Sequence, residues 1–461
     1  MCGTSDLDGP ATPPAGAVVV QPEQDLLDVT NAAPAGTTFW LAPGVHSLSS
    51  GQYANVRPKD DMVFIGGPGA IIDGGHKAQY AFVGDGKNVT ISFLTIRNFG
   101  WPGSTGQEGV VNHDAAQGWN MHHLTVSDNS GAGVFLGNDN VIADSCIASN
   151  GQYGISAYRV DGVRNVKVLR NEITDNNTDD WETRIPGCGC SGGAKFWEVE
   201  NAEIVGNNVH RNKGAGLWAD TNNTGFTFEN NHFAANDDEA IFYEISYNAA
   251  IRNNTFVRNG ITKGRSTDGF PTPAIYLSES GGDTRAPGPH RGVIDITGNV
   301  FEDNWGGIVA WENPDRFAGS PANSSTGYST LVNDDVTLSH CSEESLMATT
   351  DYSDDCRWKT QNVHVHDNTF KFNPEAVGDG CANNELCGIN GLFSNWGSYP
   401  SWSPWKGDVV NDAITFNQNN RWENNTYSGP WRFMIHQLGD EVTWSQWRSA
   451  PYNQDANSTL N

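Results

Sequence analysis

The chain has 461 residues and a formal charge of −27, from 27 basic against 54 acidic side chains. A field of that sign repels polyanions, which argues against a nucleic-acid partner and weakly against polyuronates; acidity also simply keeps a secreted protein in solution. No apolar run reaches the ~18 residues a membrane-spanning helix needs. The 52 glycines and a hydrophobic fraction of 37% suit many short strands and turns rather than long helices or disorder.

In chain order, residues 1–20 are rich in Pro, Ala and Gly and read as a flexible leader, with no intact signal peptide. Cys2 resembles the lipid-modified cysteine of a bacterial lipoprotein whose signal has been trimmed, or is a stray residue. Residues 21–60 form an amphipathic stretch ending in TTFWLAPGVHSL, similar to the N-terminal caps of right-handed parallel β-helices. Coils with insertions are expected over 61–437 and a C-terminal cap over 438–461, all within one domain, 21–461. That cap carries Trp444 and Trp447 about one helical turn apart.

Between the caps the sequence repeats. Asn171, Asn208, Asn231, Asn254, Asn299 and Asn368 each open a short apolar run, and Asn176, Asn212, Asn236, Asn259 and Asn304 follow a few residues later. Stacked asparagines at a solenoid corner explain such columns, because each amide can bond its copy in the next coil. The expected fold class is all-β: a single-stranded right-handed parallel β-helix, a pectate-lyase-like solenoid with capped ends and long loop insertions.

The third strand of each coil aligns on a small residue: Gly109, Gly133, Gly154, Gly193, Gly216, Ala240, Ala274, Gly307 and Gly391. The residue after it is apolar and reads as inward. Strand alternation then directs the second and fourth positions outward. The second column holds Val111, Phe135, Ser156, Lys195, Trp218, Phe242, Tyr276, Val309 and Phe393, and the fourth holds His113, Gly137, Tyr158, Trp197, Asp220, Glu244, Ser278, Trp311 and Asn395. So aromatic a face is either covered by loops or used for binding. Insertions at 177–192, 260–273, 315–360 and 374–386 could wall a cleft beside it.

Asp220 and Glu244 end equivalent strands, Gly216–Asp220 and Ala240–Glu244, 24 residues apart. On adjacent coils, with strands about 4.8 Å apart, their carboxyls would stand near the ~5 Å separation of retaining glycosidases. Their mutual repulsion should raise one pKa, as an acid/base catalyst beside an ionised nucleophile requires. Trp218, Phe242, Tyr276, Tyr158, Trp197 and Trp311 are candidate sugar platforms, Lys195 a donor to hydroxyls, and Glu279 and Glu312 further contacts. No cofactor and no metal-ligand set is expected, apart from a possible structural Ca²⁺.

The segment GLWADTNN…FENNHFAAND…AIFYEIS resembles the β-helical β-xylosidases, in which a GIW-x-D strand supplies the nucleophile and an F-x-E strand the acid/base. The match covers residues 193–260 and departs from the pattern at Thr221-Asn222 and Ile245-Ser246. The resemblance implies Asp220 as nucleophile and Glu244 as acid/base, with a xyloside- or arabinofuranoside-type neutral poly- or oligosaccharide as substrate. The whole chain also resembles actinobacterial secreted β-helix repeat proteins. Two alternatives stay open: a polysaccharide lyase with Lys195 as base, assisted by Arg159 or Arg184, and a non-catalytic glycan-binding β-helix.

Eight cysteines suit an extracellular or cell-surface location. Cys341–Cys356 and Cys381–Cys387 are expected as local disulfides, and Cys146 as a buried thiol. Cys188 and Cys190 could bridge each other, bond elsewhere or stay free.

Overall fold

A computed structural model describes residues 1–101, 109–111, 115–190, 192–267, 269–322, 332–348 and 353–461. His113 lies outside the described residues. The chain divides into two compact units, Met1–Leu217 and Trp218–Asn461.

Each unit is a parallel β-helix in which consecutive strands join different sheets and each strand pairs with its equivalent one coil later. In the first unit Thr38–Leu41, Val63–Gly66, Thr90–Ser92 and Asn120–His122 succeed one another in parallel register. In the second, Thr224–Glu229, Tyr247–Arg252, Ile294–Thr297, Val363–His366 and Arg421–Glu423 do the same. The three-residue strands His232–Ala234, Thr255–Val257, Val300–Glu302, Thr369–Lys371 and Thr426–Ser428 each bury only their central side chain, and their registers stack those side chains into a column. Phe233, Phe256, Phe301, Phe370 and Tyr427 form such a column, with ring centroids 5.1, 4.8, 4.5 and 4.7 Å apart. Offset stacking at that spacing adds to the burial of each ring.

The corners are held by asparagine. Asn254 Oδ1 accepts from the backbone N–H and side-chain amide of Asn231, both at 2.9 Å, while its own amide donates to Phe228 O and Asn299 Oδ1. The same bonds recur through Asn299, Asn368 and Asn425. A second ladder runs Asn236, Asn259, Asn304, and in the first unit another runs Asn129, Asn150, Asn176, Asn212. Each first-ladder asparagine follows a left-handed residue: Asn230, Asn253, Gly298, Asp367 and Asn424 have φ from 54° to 66°. Asn, Asp and Gly tolerate that conformation best, hence the repeated Asn-Asn, Gly-Asn and Asp-Asn pairs.

Several expectations are corrected. The partner of Asn171 is Asn207, not Asn208; Asn208 opens the following strand. Residues 1–20 are not a free leader: Val18–Val20 pairs with Thr38–Leu41, and Trp40 Nε1 donates to Pro10 O at 3.2 Å. Cys2 is disulfide-bonded to Cys146, so neither a lipid-modified Cys2 nor a free Cys146 thiol is present. Val111, not Val110, registers with Val134, and Gly391 pairs with Val309 rather than Gly307. The first slip is by one residue and reverses that coil's faces; the second is by two and preserves them. The disulfides Cys341–Cys356 and Cys381–Cys387 form as expected.

Asn207 is buried and accepts from both nitrogens of Asn171 while donating to Val168 O at 2.8 Å. Asn207→Ala should therefore destabilise the protein by about 2–3 kcal/mol, the cost of stranding buried polar groups. Asn208→Ala should cost clearly less, as read from the midpoints of urea unfolding.

Candidate functional site

The strand Leu217–Asp220 and the strand Ile241–Glu244 are neighbours in one parallel sheet. Their register is set beyond the carboxylates by Thr221 N–H donating to Glu244 O at 3.0 Å and Asn222 N–H to Ile245 O at 2.8 Å. Tyr243 points into the interior, ring to ring with Phe226 and Phe228, and its hydroxyl donates to Tyr247 O at 2.9 Å. Alternation therefore puts Phe242 and Glu244 on the outer face, and Trp218 stacks on Phe242 with centroids 4.8 Å apart. Phe242 stacks in turn on Tyr276 at 4.7 Å.

Asp220 and Glu244 are on this face yet only 8% and 7% exposed. The insertion after residue 312 delivers Arg316, whose Nη1 donates to Glu244 Oε1 at 2.6 Å and to Glu279 Oε2 at 3.3 Å. Trp218 Nε1 donates to Glu244 Oε2 at 3.0 Å, and Thr221 Oγ1 donates to Asp220 Oδ1 at 2.8 Å. Burial first, and then the charge of Asp220, push the Glu244 pKa up to about 7, while Arg316 holds it from rising further. Arg316 itself is pushed up by Glu279 and Glu244 against the opposing effect of its burial.

Backbone strain sits at the same place. Thr221 and Ile245, each following a carboxylate, have φ of 43° and 44°, and Glu279 has 47°. A β-branched residue in the left-handed region costs about 1–3 kcal/mol and persists where surrounding bonds over-determine it. Ile245 N–H and Glu279 N–H still donate to the next coil, at Ser278 O and Trp311 O.

Other expected contacts fall elsewhere. Glu279 is fully buried and accepts from Arg316, Ser278 Oγ and Asn313 N–H, so it positions Arg316 rather than touching a ligand. Glu312 is likewise buried, beneath Arg357, Gln418 and the Thr360 N–H. Tyr276 is 8% exposed because Phe270, from the 260–273 insertion, packs over Tyr276, Trp311 and Phe393. Trp218, Phe242 and Trp311 remain half-buried. Two residues that sequence reasoning missed are Arg316, hidden in a long insertion, and Glu239. The latter is buried beside Asp238, and burial raises its pKa well above the usual carboxylate range. Its one sequence signal is the acidic run 237–239.

Lys195, Trp197 and Tyr158 belong to the first unit. Lys195 Nζ donates to Gly189 O at 2.6 Å and lies 5.8 Å from the Trp197 ring, which meets Tyr158 edge-on. Cys188 and Cys190 are both thiols, and burial pushes Cys188 up to about 12. Cavities of about 450 and 300 Å³ also lie in the first unit, lined by residues such as Leu7, Phe93 and Thr125 or Tyr53, Arg57 and Tyr80. Neither contains a candidate carboxylate.

A family model described as "Right handed beta helix region" matches residues 108–285. Among solved structures, the chain is similar to the catalytic unit of a thermostable GH87 alpha-1,3-glucanase from Streptomyces thermodiastaticus strain HF3-3. The identity is 12%, over 93% of this chain and 65% of that one, with a TM-score of 0.52. The Agl-KA catalytic domain is 13% identical over 98% of this chain and 70% of that one, with a TM-score of 0.50. The A-module of the Azotobacter vinelandii mannuronan C-5 epimerase AlgE4 is 15% identical over 64% of this chain and 93% of that one, with a TM-score of 0.38. No curated protein matched the sequence. The fold is thus a right-handed parallel β-helix, as the repeats imply.

Because Arg316 stabilises the anion of Glu244, Arg316→Met should move the Glu244 pKa above about 7. The check is the infrared carboxylic-acid signal of Glu244, taken as the difference between each protein and the same protein carrying Glu244→Gln, which should persist to higher pH in the Arg316→Met background.

Proposed function

We propose that the protein is a secreted retaining glycoside hydrolase acting on a neutral poly- or oligosaccharide, with Asp220 as nucleophile and Glu244 as general acid/base. The observation that carries this reading is that Glu244, nearly buried and bonded to Arg316 and Trp218, stands on the coil next to Asp220, an environment that raises its pKa to about 7. A carboxyl at that value is half protonated at neutral pH, so it can give a proton to the departing glycosidic oxygen and later take one from water. Asp220 attacks the anomeric carbon, forming a glycosyl ester that the activated water hydrolyses. Strands about 4.8 Å apart suit the ~5–5.5 Å carboxyl separation of this mechanism.

The surroundings fit those roles. Arg316 lowers the cost of the Glu244 anion formed once the proton has left, so the group can cycle. The Trp218 N–H orients the carboxyl, and the half-buried Trp218 and Phe242 rings offer faces to sugar C–H groups. Three disulfides support an oxidising, extracellular setting.

The test is a panel of xylosides, arabinofuranosides and glucans, the last prompted by the α-1,3-glucanase neighbour, with the anomer of the first-formed product followed by NMR. Retention is expected. Asp220→Asn and Glu244→Gln should each lower kcat by about 10³-fold or more, and azide should rescue Asp220→Gly as a glycosyl azide. An inverted product would reassign Asp220 as a base, and an unsaturated uronate product would replace hydrolysis by a lyase reaction at Lys195. Glycan binding without turnover, unchanged in both variants, would mean a non-catalytic module.

The sign of the pH dependence follows from Glu244. It must be protonated to act as acid, so kcat/KM should fall as pH rises through about 7. In Arg316→Met that falling limb should move to higher pH.

A further inference from the structure

On a different sheet of the second unit, Ile294–Thr297, Val363–His366 and Arg421–Glu423 lie side by side, with Asp295 registered on His364 and His366 on Glu423. Alternation puts His364 and His366 on one face, and Asp295 shares it. His366 Nε2 is 3.0 Å and His364 Nδ1 3.9 Å from the same atom, Asp295 Oδ1. The far nitrogen of each ring meets another carboxylate: His364 Nε2 at Glu423 Oε1, 2.8 Å, and His366 Nδ1 at Asp367 Oδ2, 2.6 Å.

Those outer bonds decide what the inner atoms are. A neutral imidazole carries one proton, and a carboxylate can only accept. If each ring gives its proton to its outer carboxylate, His364 Nδ1 and His366 Nε2 turn lone pairs toward Asp295 Oδ1. Three acceptors then converge on one point, where a bound cation takes the place of the proton that His366 Nε2 otherwise shares with Asp295. Carboxylate–histidine pairs behind the ligating nitrogens are the outer shell that orients histidines at metal centres. The ligand atoms all lie within 4.8 Å of one another, within the adjustment needed for bonds of about 2.0–2.2 Å. The side chains are 22–32% exposed, so an ion can reach them. Three carboxylates, Asp295, Asp367 and Glu423, outweigh the neighbouring Arg421.

We propose that Asp295, His364 and His366 form a binding site for one divalent transition-metal ion, Zn²⁺ by preference, with Glu423 and Asp367 orienting the imidazoles. Two nitrogens and one oxygen select a borderline ion over Ca²⁺ or Mg²⁺, and three protein ligands leave a position for water. The site is independent of Asp220 and Glu244. The ion would tie together two strands separated in sequence by residues 298–362, which include the long insertion that carries Arg316.

The experiment uses the full chain without a histidine tag, dialysed against chelator and titrated with Zn²⁺ and Co²⁺. The expected result is one equivalent of Zn²⁺ by elemental analysis, visible d–d bands with Co²⁺, and a raised Tm with Zn²⁺ but not Ca²⁺. His364→Ala/His366→Ala should abolish all three, and Glu423→Gln should weaken Zn²⁺ about 10–100-fold. If the double variant fails to fold by circular dichroism, Asp295→Asn, which keeps the side-chain shape, replaces it, with loss of the Co²⁺ bands expected. Substoichiometric Zn²⁺, a preference for Ca²⁺, or binding unchanged in the folded variants would overturn the proposal.

Discussion

A buried amide at each coil corner must find partners inside the protein, and that requirement sets the register of everything around it. In the second unit the ladder from Asn231 to Asn425 fixes where each turn begins, because every Oδ1 takes two N–H groups of the previous asparagine. A shift of one residue would strand several buried donors and reverse the faces of the following strands. The stacked phenylalanines follow from that register, and so does the alternation that sends Tyr243 inward and Glu244 outward.

Within that frame the candidate site is an electrostatic conflict. Two carboxylates on neighbouring coils are nearly buried, and a third, Glu279, is fully buried at the end of the next strand, Ile275–Ser278. One arginine is bonded to both Glu244 and Glu279, so its charge is shared. The result is a Glu244 whose proton is held near neutrality, an outcome that a fully paired or a fully exposed carboxyl would not give. Left-handed Thr221 and Ile245 place the strain at the residues that aim the two carboxylates.

The histidine–carboxylate cluster follows the same logic on another sheet. Solenoid stacking repeats a position from coil to coil, so outward residues with no obvious relation in the chain become neighbours at strand spacing. His364 and His366 are two apart and could be read as one face, but Asp295 and Glu423 join them only through pairing across insertions of unequal length.

The repeat columns, the alternation within strands, the pairing of Asp220 with Glu244 and the aromatic outer face were all legible in the residues, because a period-two strand and a stacked asparagine leave local marks. The errors lay where local marks are degenerate. Asn207 and Asn208 are adjacent amides, and only burial distinguishes the ladder member; Gly109 and Gly391 offered small residues one and two positions off the true register. Tertiary structure alone decided that Phe270 covers Tyr276, that Glu279 and Glu312 are buried beneath arginines, that Cys2 reaches Cys146, and that Arg316 reaches Glu244 from 72 residues away. Those contacts depend on how long insertions fold back. A repeat pattern constrains the coils from within each coil, whereas an insertion's path is set by long-range packing and charge that no short window of sequence contains.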